Sequence, residues 1–295
     1  MDLGTQKLLG TFLFACLVLG WTPANAVILG GVDGSGNITA PADDPGWNRV
    51  GTVNGDSGVY LGDGFVLSAK HVGAGDLTLG GTTYALDPSY VPQFFQTQSS
   101  PQEFADLVIF KVENAPVMSL MPIWNGSGEV GKTATLIGTG VDRGAAVAGQ
   151  GWLWGTTHTK RWGQNVIDGT VPVNDPSINV SYQALFAAFN RVGGGGSGLA
   201  NEATGAFGDS GGGLFIKQGS TWELAGIITA VTANGHSYYD NNTSVPGDQP
   251  DFVYAARLSD YNNWILTTIP EPDSLVLMLL AGGLLGATLL RRKRP

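Results

Sequence analysis

Short apolar runs separated by glycine-rich turns constrain the fold of this chain most. The 295 residues include 45 glycines, and glycine permits the tight turns at which strands end. Apolar runs such as residues 65–67 and 107–110 are too short for an ordinary helix and are typical of buried strands. Only residues 260–268 have the spacing of a short closing helix. The sequence therefore predicts an all-β fold, a barrel or a sandwich, with one short C-terminal helix.

Both ends of the chain have patterns of segments that direct a protein to its destination. Residues 1–26 contain Lys7, an apolar run and the tripeptide Ala-Asn-Ala, which predicts a signal peptide with its cleavage site. A buried amino-terminal helix is the alternative. Residues 270–295 begin with Pro-Glu-Pro and end in a basic cluster, and the apolar run between them predicts a transmembrane helix over residues 274–290. The basic tail would stay in the cytoplasm, so the preceding domain would face outward.

This carboxyl-terminal pattern resembles the PEP-CTERM sorting signal of Gram-negative bacteria. The Pro-Glu-Pro triplet, the glycine-containing apolar run and the terminal arginines stand in the order that this signal has. The resemblance implies an exosortase-type sorting machinery as a partner, contact with the membrane through the C-terminal segment, and delivery to the cell surface or an extracellular matrix. An ordinary membrane anchor is the alternative, and it also places the domain outside the cytoplasm.

Charge and cysteine content limit the possible partners. The formal net charge of −9 argues against nucleic acid as a partner. Cys16 is the one cysteine, and it lies in the predicted signal peptide, so the mature chain is expected to have no disulfide. The sequence has no histidine pair at ligand spacing and no Walker loop, so we expect neither a metal nor a cofactor.

A serine among glycines, at residues 208–212, is the strongest sign of chemistry in the chain. Glycine has a high entropic cost on folding, and here it lets the backbone turn tightly and present bare N–H groups. Such groups stabilise the oxyanion that forms when Ser210 attacks a carbonyl. The serine needs a general base, and the base needs an orienting group. His71 ends one apolar strand and Asp106 begins another, which makes them the candidates.

Three motifs in this chain order resemble those of the trypsin/chymotrypsin-like serine peptidases. They are Ser-Ala-Lys-His at residues 68–71, Asp-Leu-Val-Ile-Phe-Lys at residues 106–111, and Gly-Asp-Ser-Gly-Gly at residues 208–212. The resemblance spans nearly all of residues 27–269. It implies two six-stranded antiparallel β-barrels, over about residues 27–130 and 131–269, with the active site in the cleft between them.

The same resemblance implies a role for each residue of the motifs. Ser210 would be the nucleophile, His71 the general base and then acid, and Asp106 the group that orients the histidine. The backbone N–H groups of Gly208 and Ser210 would form the oxyanion hole. The protein would then be a serine endopeptidase that acts on proteins or peptides. His158 and His236 are interpreted as surface and loop residues.

The chain departs from the family around the predicted substrate pocket. The resemblance places this pocket around Thr204, Phe207, Thr229 and Val231. Thr204 stands where a trypsin-type enzyme has aspartate, so no buried carboxylate is expected to pair with arginine or lysine. Val231 is bulky for the mouth of the pocket. We therefore expect a small or medium apolar residue before the cut bond.

The start of the mature chain predicts a mode of activation. In the family, a new amino terminus inserts and pairs with the aspartate before the serine. Here Val-Ile-Leu-Gly-Gly at residues 27–31 directly follows the predicted cleavage site, and Asp209 precedes Ser210. The predicted activation pair is Ile28 with Asp209, formed by signal removal with or without trimming of Val27.

Two other functions compete with the peptidase. Residues 208–212 also fit the nucleophile elbow of an esterase, but that fold needs a helix after the serine and a later acid and histidine. Residues 214–216 have the composition of a strand instead. The second alternative is a non-catalytic barrel that serves as a surface or matrix interaction protein.

Overall fold

The computed structural model describes residues 27–31, 34–232, 235–242 and 249–269. The predicted signal peptide (1–26) and the predicted C-terminal sorting segment (270–295) with its transmembrane helix (274–290) lie outside the described residues. Within the described ranges, no helix has the length and apolar character needed to cross a membrane.

Strands are the predominant secondary structure of the described chain, which confirms the predicted all-β class. Over the described residues the strands are β1 (Ile28–Leu29), β2 (Val50–Val53), β3 (Asp56–Gly62), β4 (Phe65–Ser68), β5 (Leu77–Leu79), β6 (Thr82–Tyr84), β7 (Gln93–Ser99), β8 (Gln102–Lys111), β9 (Thr133–Gly138), β10 (Val141–Val147), β11 (Gly151–His158), β12 (Arg161–Val166), β13 (Gly169–Asp175), β14 (Val180–Ala188), β15 (Ala203–Thr204), β16 (Gly213–Gln218), β17 (Thr221–Val231), β18 (His236–Tyr238) and β19 (Phe252–Arg257). The predicted closing helix is present as α1 (Asn262–Thr268), preceded by a 3-10 turn over Leu258–Asp260; another such turn spans Trp47–Arg49.

The first half of the chain forms one group of neighbouring strands, in the order β6-β5-β2-β3-β4-β8-β7. Asn54 and Gly55 form the tight turn between β2 and β3, with positive φ angles of 52° and 91° that match the hairpin preference for this residue pair. An isolated bridge between Leu86 and Val112 joins the chain after β6 to the chain after β8. This bridge is the contact between the two ends of the β6-to-β8 strand order.

The second half forms a similar group, in the order β12-β9-β16-β17-β19-β14-β13. β13, the last strand in this order, directly follows β12, the first strand, along the chain. Asp168 lies between them and donates its N–H to Phe186 O at 3.0 Å. One parallel bridge, between Val180 and Phe104, connects the two groups. Closure of the groups into two six-stranded barrels, over residues 27–130 and 131–269, stays a prediction.

Two small sheets stand beside the large one. The hairpin β10-β11 pairs with β18, and β1 pairs with β15 through the partners Ile28–Thr204 and Leu29–Ala203. The second sheet ties the amino-terminal segment to the chain just before residues 208–212. Both small sheets therefore lie close to the predicted catalytic motif in sequence and space.

One apolar core connects the two halves. Leu107 and Ile109 of β8 belong to the same buried cluster as Ala184 of β14 and Ile227 of β17. Fully burying a side chain of this size contributes roughly 1.5–3 kcal/mol, so the cluster holds the halves together strongly. The ends of β4 and β8 are consequently fixed relative to the turn that contains Ser210.

Candidate active site

His71 and Asp106 are paired as the sequence motifs suggest. The register of β4 against β8 places Ser68 opposite Val108, which brings the turn after β4 beside Asp106. His71 Nδ1–H donates to Asp106 Oδ2 at 2.8 Å, and the backbone N–H of His71 donates to Asp106 Oδ1 at 3.0 Å. Asp106 is 2% exposed, whereas the His71 side chain is 29% exposed. A buried carboxylate thus fixes an imidazole that stays open on one side.

Ser210 lies in a tight turn between β15 and β16. Asp209 N–H donates to Ala206 O at 3.1 Å, and Gly212 N–H donates to Asp209 O at 2.8 Å. Gly211 has a φ of 85°, and a Cβ atom there would collide with the carbonyl of Ser57. The glycine is required because the turn lies against the start of β3 and its backbone has a left-handed conformation.

Ser57, at the start of β3, connects the first half of the chain to both sides of this turn. Its N–H donates to Ser210 O at 2.8 Å, and its Oγ donates to Gly208 O at 2.9 Å. Its Oγ also accepts from Thr139 N–H at 2.9 Å. Ser57 is fully buried. The motif analysis did not identify this residue, since a small residue in a strand gives no signal of a long-range contact.

Two backbone N–H groups of the turn are not used by the protein. Among the described residues, the N–H groups of Gly208 and Ser210 have no hydrogen-bond acceptor, although those of Asp209, Gly211 and Gly212 all have one. Ser57 Oγ donates to the carbonyl of the same residue, Gly208, and so holds that residue in place. Unused donors in an ordered turn are the arrangement that an oxyanion hole requires.

A cavity of about 390 Å³ brings the predicted catalytic residues together. Its described wall contains Asp56, His71, Trp154, Ala206, Phe207, Gly208, Ser210, Ile228, Ala230 and Val231. In the described chain no hydrogen bond joins His71 to Ser210. Catalytic hydrogen bonds are often long without a substrate, so this geometry is compatible with a nucleophile and its base.

The predicted pocket residues fall into two classes. Phe207, which is 64% exposed, and Val231 line the cavity. Thr204 and Thr229 lie outside its described wall. Thr204 is buried and pairs with Ile28, and Thr229 Oγ1 accepts from the hydroxyl of Tyr182 at 3.0 Å. The sequence placed these threonines by their distance from Ser210, but β1 and β14 cover them.

Cavity residues that the sequence did not reveal come from other parts of the chain. Trp154 arrives from β11 and Asp56 from the start of β3. His158 is exposed as expected, but its ring packs against Phe207 with the ring centroids 6.3 Å apart. No local sequence pattern distinguished these residues, because they are far from residues 208–212 along the chain and come close to them only in the folded structure.

The electrostatic environment of His71 favours its protonated form. Burial of the imidazole would lower its pKa, but the hydrogen bond and charge of Asp106 outweigh this effect and raise the pKa above its usual value. The nearby Asp56 carboxylate acts in the same direction. Burial raises the pKa of Asp56 itself, against the influence of His71 and His158.

Asp209 is fully buried and contacts the amino-terminal segment. It accepts from Gly140 N–H and Ala206 N–H, both at 2.8 Å, and from the backbone N–H of Val27. Burial raises its pKa to about 7. In the uncut chain the predicted partner, Ile28, pairs with Thr204, and the N–H that reaches Asp209 belongs to Val27. The pair that the mature amino terminus forms with Asp209 stays a prediction.

Within the described ranges, no cluster of three or more histidine, cysteine, aspartate or glutamate residues could hold a metal ion. The third histidine, His236, pairs with Asp251, with 3.0 Å between Nδ1 and Oδ2. This pair ties β18 to the chain before β19. It does not line the described wall of the cavity.

Solved structures with a similar fold have low sequence identity to this chain. Neuropsin, a serine protease expressed in the limbic system of mouse brain, has 18% identity and a TM-score of 0.48, with 80% of this chain and 99% of that chain covered. The inactive form of Rv3671c from M. tuberculosis H37Rv has 13% identity and a TM-score of 0.44, with coverage of 77% and 94%. The NS6 protease from murine norovirus 1 has 17% identity and a TM-score of 0.41, with coverage of 74% and 93%.

Family models cover most of the chain. The trypsin model matches residues 39–265, and the model of the PEP-CTERM protein-sorting motif matches residues 268–294. No curated protein matches the chain in sequence. This chain therefore belongs to the trypsin family of serine peptidases and has a PEP-CTERM sorting motif at its carboxyl end.

Proposed function

We propose that this protein is an exported serine endopeptidase that cuts peptide bonds with Ser210, His71 and Asp106. The observation that supports this most is the pairing of His71 with the buried Asp106 through two hydrogen bonds, at the edge of the cavity that Ser210 also lines. An oriented, half-exposed imidazole beside a serine in a glycine turn is the arrangement needed to activate a hydroxyl.

The proposed reaction follows the established steps of serine peptidases. His71 takes the Ser210 proton while Oγ attacks the peptide carbonyl, and Asp106 stabilises the imidazolium. The free N–H groups of Gly208 and Ser210 donate to the oxyanion of the tetrahedral intermediate. The imidazolium then protonates the leaving amine, which leaves an acyl group on Ser210. Water, deprotonated by His71, attacks this ester and releases the second product and the serine.

The cavity supports a preference for a small or medium apolar residue before the cut bond. Phe207, Ile228, Ala230 and Val231 give it a largely apolar wall. A Cβ atom at Gly205 would meet Val231 Cγ1 and Val253 Cγ2 at 3.1 Å, so these valines limit the depth beneath the turn. The carboxylate of Asp56 also lines this wall, and its charge acts on His71.

Signal removal is proposed to produce the active form directly. Cleavage after residue 26 converts the Val27 N–H, already bonded to Asp209, into an ammonium group at the same place. The uncut chain holds Val27 at a φ of 46°, which is unfavourable for a β-branched residue, and cleavage removes this restriction. Trimming of Val27 is then unnecessary. Mass spectrometry of the active enzyme should find Val27 at the amino terminus; residues retained upstream would refute this proposal.

The PEP-CTERM motif is typical of proteins exported and sorted to the bacterial cell surface. We propose that an exosortase-type machinery processes residues 270–295 and that the peptidase acts at the surface or in the extracellular matrix of a Gram-negative cell. Until processing, the C-terminal segment would anchor the chain in the membrane. Fractionation of cells with and without residues 270–295 tests this location, because the truncated chain should no longer reach the surface.

A comparison of the wild type with Ser210→Ala tests the peptidase. Both proteins are incubated with a mixed peptide library and with a fluorophosphonate that labels activated serines. We expect the variant to lose hydrolysis by several orders of magnitude and to lose the label. A wild type that is folded but neither labelled nor active would favour the alternative, a non-catalytic interaction protein.

A further inference from the structure

The hairpin β10-β11 packs on the segment that opens the described chain. Together with β18 it forms a three-stranded sheet outside the large sheet. Val141 of this hairpin shares a buried cluster with Ile28 and Ala206. The hairpin therefore touches the amino-terminal segment and the chain just before Ser210, although it contributes no residue to the proposed reaction.

Arg143, in β10, forms the polar part of this contact. Its Nη1 donates to Leu29 O at 3.0 Å and to Gly31 O at 2.6 Å. Its guanidinium carbon lies 4.2 Å from the centre of the Trp152 ring on the neighbouring strand. Hydrogen bonds from a charged donor are roughly twice as strong as neutral ones, and the tryptophan fixes the planar group in place.

Gly34 lies directly on the same guanidinium. A Cβ atom at Gly34 would collide with Nε and Cζ of Arg143, so a larger residue there would displace the guanidinium. The Arg143 side chain is half-buried. Trp152 and Gly34 therefore enclose it, while two carbonyls of the amino-terminal segment accept its protons.

A short series of contacts leads from Arg143 to the serine turn. Leu29 and Ile28 pair with Ala203 and Thr204 in the β1-β15 ladder, and Gly30 N–H donates to Glu202 O at 2.7 Å. Next to Ile28, Val27 N–H reaches Asp209, which directly precedes Ser210. The position of the segment and the order of the turn are thus physically connected.

We propose that Arg143 is a positioning residue that clamps Leu29 and Gly31 in place and thereby keeps the Ser210 turn ordered for reaction. It acts through the segment and the Asp209 contact and does not touch the substrate. The inference rests on the proposed function, because its catalytic effect is read through Ser210. If the hairpin only packed against the amino-terminal segment, removal of the guanidinium alone would leave peptidase activity unchanged.

The test replaces Arg143 with methionine, which keeps an unbranched apolar chain beside Trp152 but has no donors. The naturally processed chain is measured for kcat and KM on a peptide, for the rate of fluorophosphonate labelling, and for hydrogen exchange of the Gly30 amide. We expect kcat and the labelling rate to fall about tenfold or more, exchange at Gly30 to speed up by a similar factor, and KM to change less than twofold.

Arg191→Met is the matched control. Arg191 also lies over an aromatic ring, with its guanidinium carbon 5.8 Å from the centre of Tyr239, but its Nη1 donates to Asn241 Oδ1 at 3.2 Å and not to Leu29 or Gly31. It should leave kcat and Gly30 exchange within twofold of the wild type.

Wild-type kcat and Gly30 exchange in Arg143→Met would overturn the proposal. If that variant does not fold, Arg143→Lys decides by the same two measurements, since lysine keeps the charge but loses the planar fork; unchanged values would again refute the clamp. If the wild type is inactive, the proposed function is refuted independently of this test. In that case faster Gly30 exchange in Arg143→Met, with no label on Ser210 in either protein, refutes the catalytic part of the inference.

Discussion

Replacement of Ser57 by alanine should weaken both the fold and the reaction. The substitution removes one hydroxyl oxygen that bonds to Gly208 O and accepts from Thr139 N–H, at 2.9 Å each. Ser57 and both partner residues are buried, so water cannot easily replace the lost bonds. The remaining contact, from the Ser57 N–H to Ser210 O, belongs to the backbone and survives the substitution.

The size of the effect follows from these two orphaned groups. A buried donor or acceptor without its partner costs roughly 1–3 kcal/mol, so we expect the free energy of unfolding to fall by about 2–4 kcal/mol after partial relaxation. For a domain of this size that corresponds to a Tm lower by about 5–15 °C. Gly208 also loses the bond to its carbonyl, which helps to hold the residue whose N–H would donate to the oxyanion. Complete loss of one such donor costs about 10²–10³ in kcat, which sets the upper limit.

Urea unfolding and steady-state kinetics measure the two effects on the same preparation. Ser89→Ala is a matched control, because it removes the same atoms from an exposed serine whose Oγ donates to Asp87 at 2.6 Å. Exposed substitutions of this kind change stability by about 0.5 kcal/mol or less. A Ser57→Ala variant that matches this control in stability and keeps the wild-type kcat would refute the reasoning about the Ser57 contacts.

Three further outcomes are expected. Asp106→Asn should lower kcat by about 10⁴ with little change in KM, because the amide favours the wrong tautomer of His71; a loss under tenfold in single-turnover kinetics would contradict this. Because the pKa of His71 is raised, kcat/KM should fall as the pH drops through a value above 6.5. Asp56→Asn removes a charge that helps to raise this pKa, so it should move the acidic limb of the kcat/KM profile to lower pH. Burial opposes ionisation of Glu129, but its bonds to Arg257 outweigh this effect and lower the pKa of the carboxyl to about 2. The stabilisation by this ion pair is therefore complete above pH 4.5 and lost as the pH falls towards 2. Urea unfolding of Glu129→Gln should show a free energy of unfolding lower by about 2 kcal/mol at pH 7 and by much less at pH 2.

Local patterns were informative where one stretch of chain contains the whole signal. The strands, the closing helix and the family motifs could each be recognised from residue type and spacing, because secondary structure has a fixed period and a catalytic turn needs glycine. The pairing of His71 with Asp106 also followed, since each residue stands at a defined place in a strand motif. The family resemblance placed Thr204 and Thr229 at the pocket, and in the structure they contact Ile28 and Tyr182 and lie outside the described cavity wall.

The amino-acid sequence alone determined the all-β class, the trypsin-family motifs and the identity of the groups available for chemistry. Only the tertiary structure decided that Ser57 holds the Ser210 turn, that Trp154 lines the cavity and that the Val27 N–H of the uncut chain reaches Asp209. The physical reason is that Ser57 and Gly208 are 151 residues apart along the chain. A contact at that separation depends on how whole strands pack and in which register they pair, and no spacing within the sequence records it.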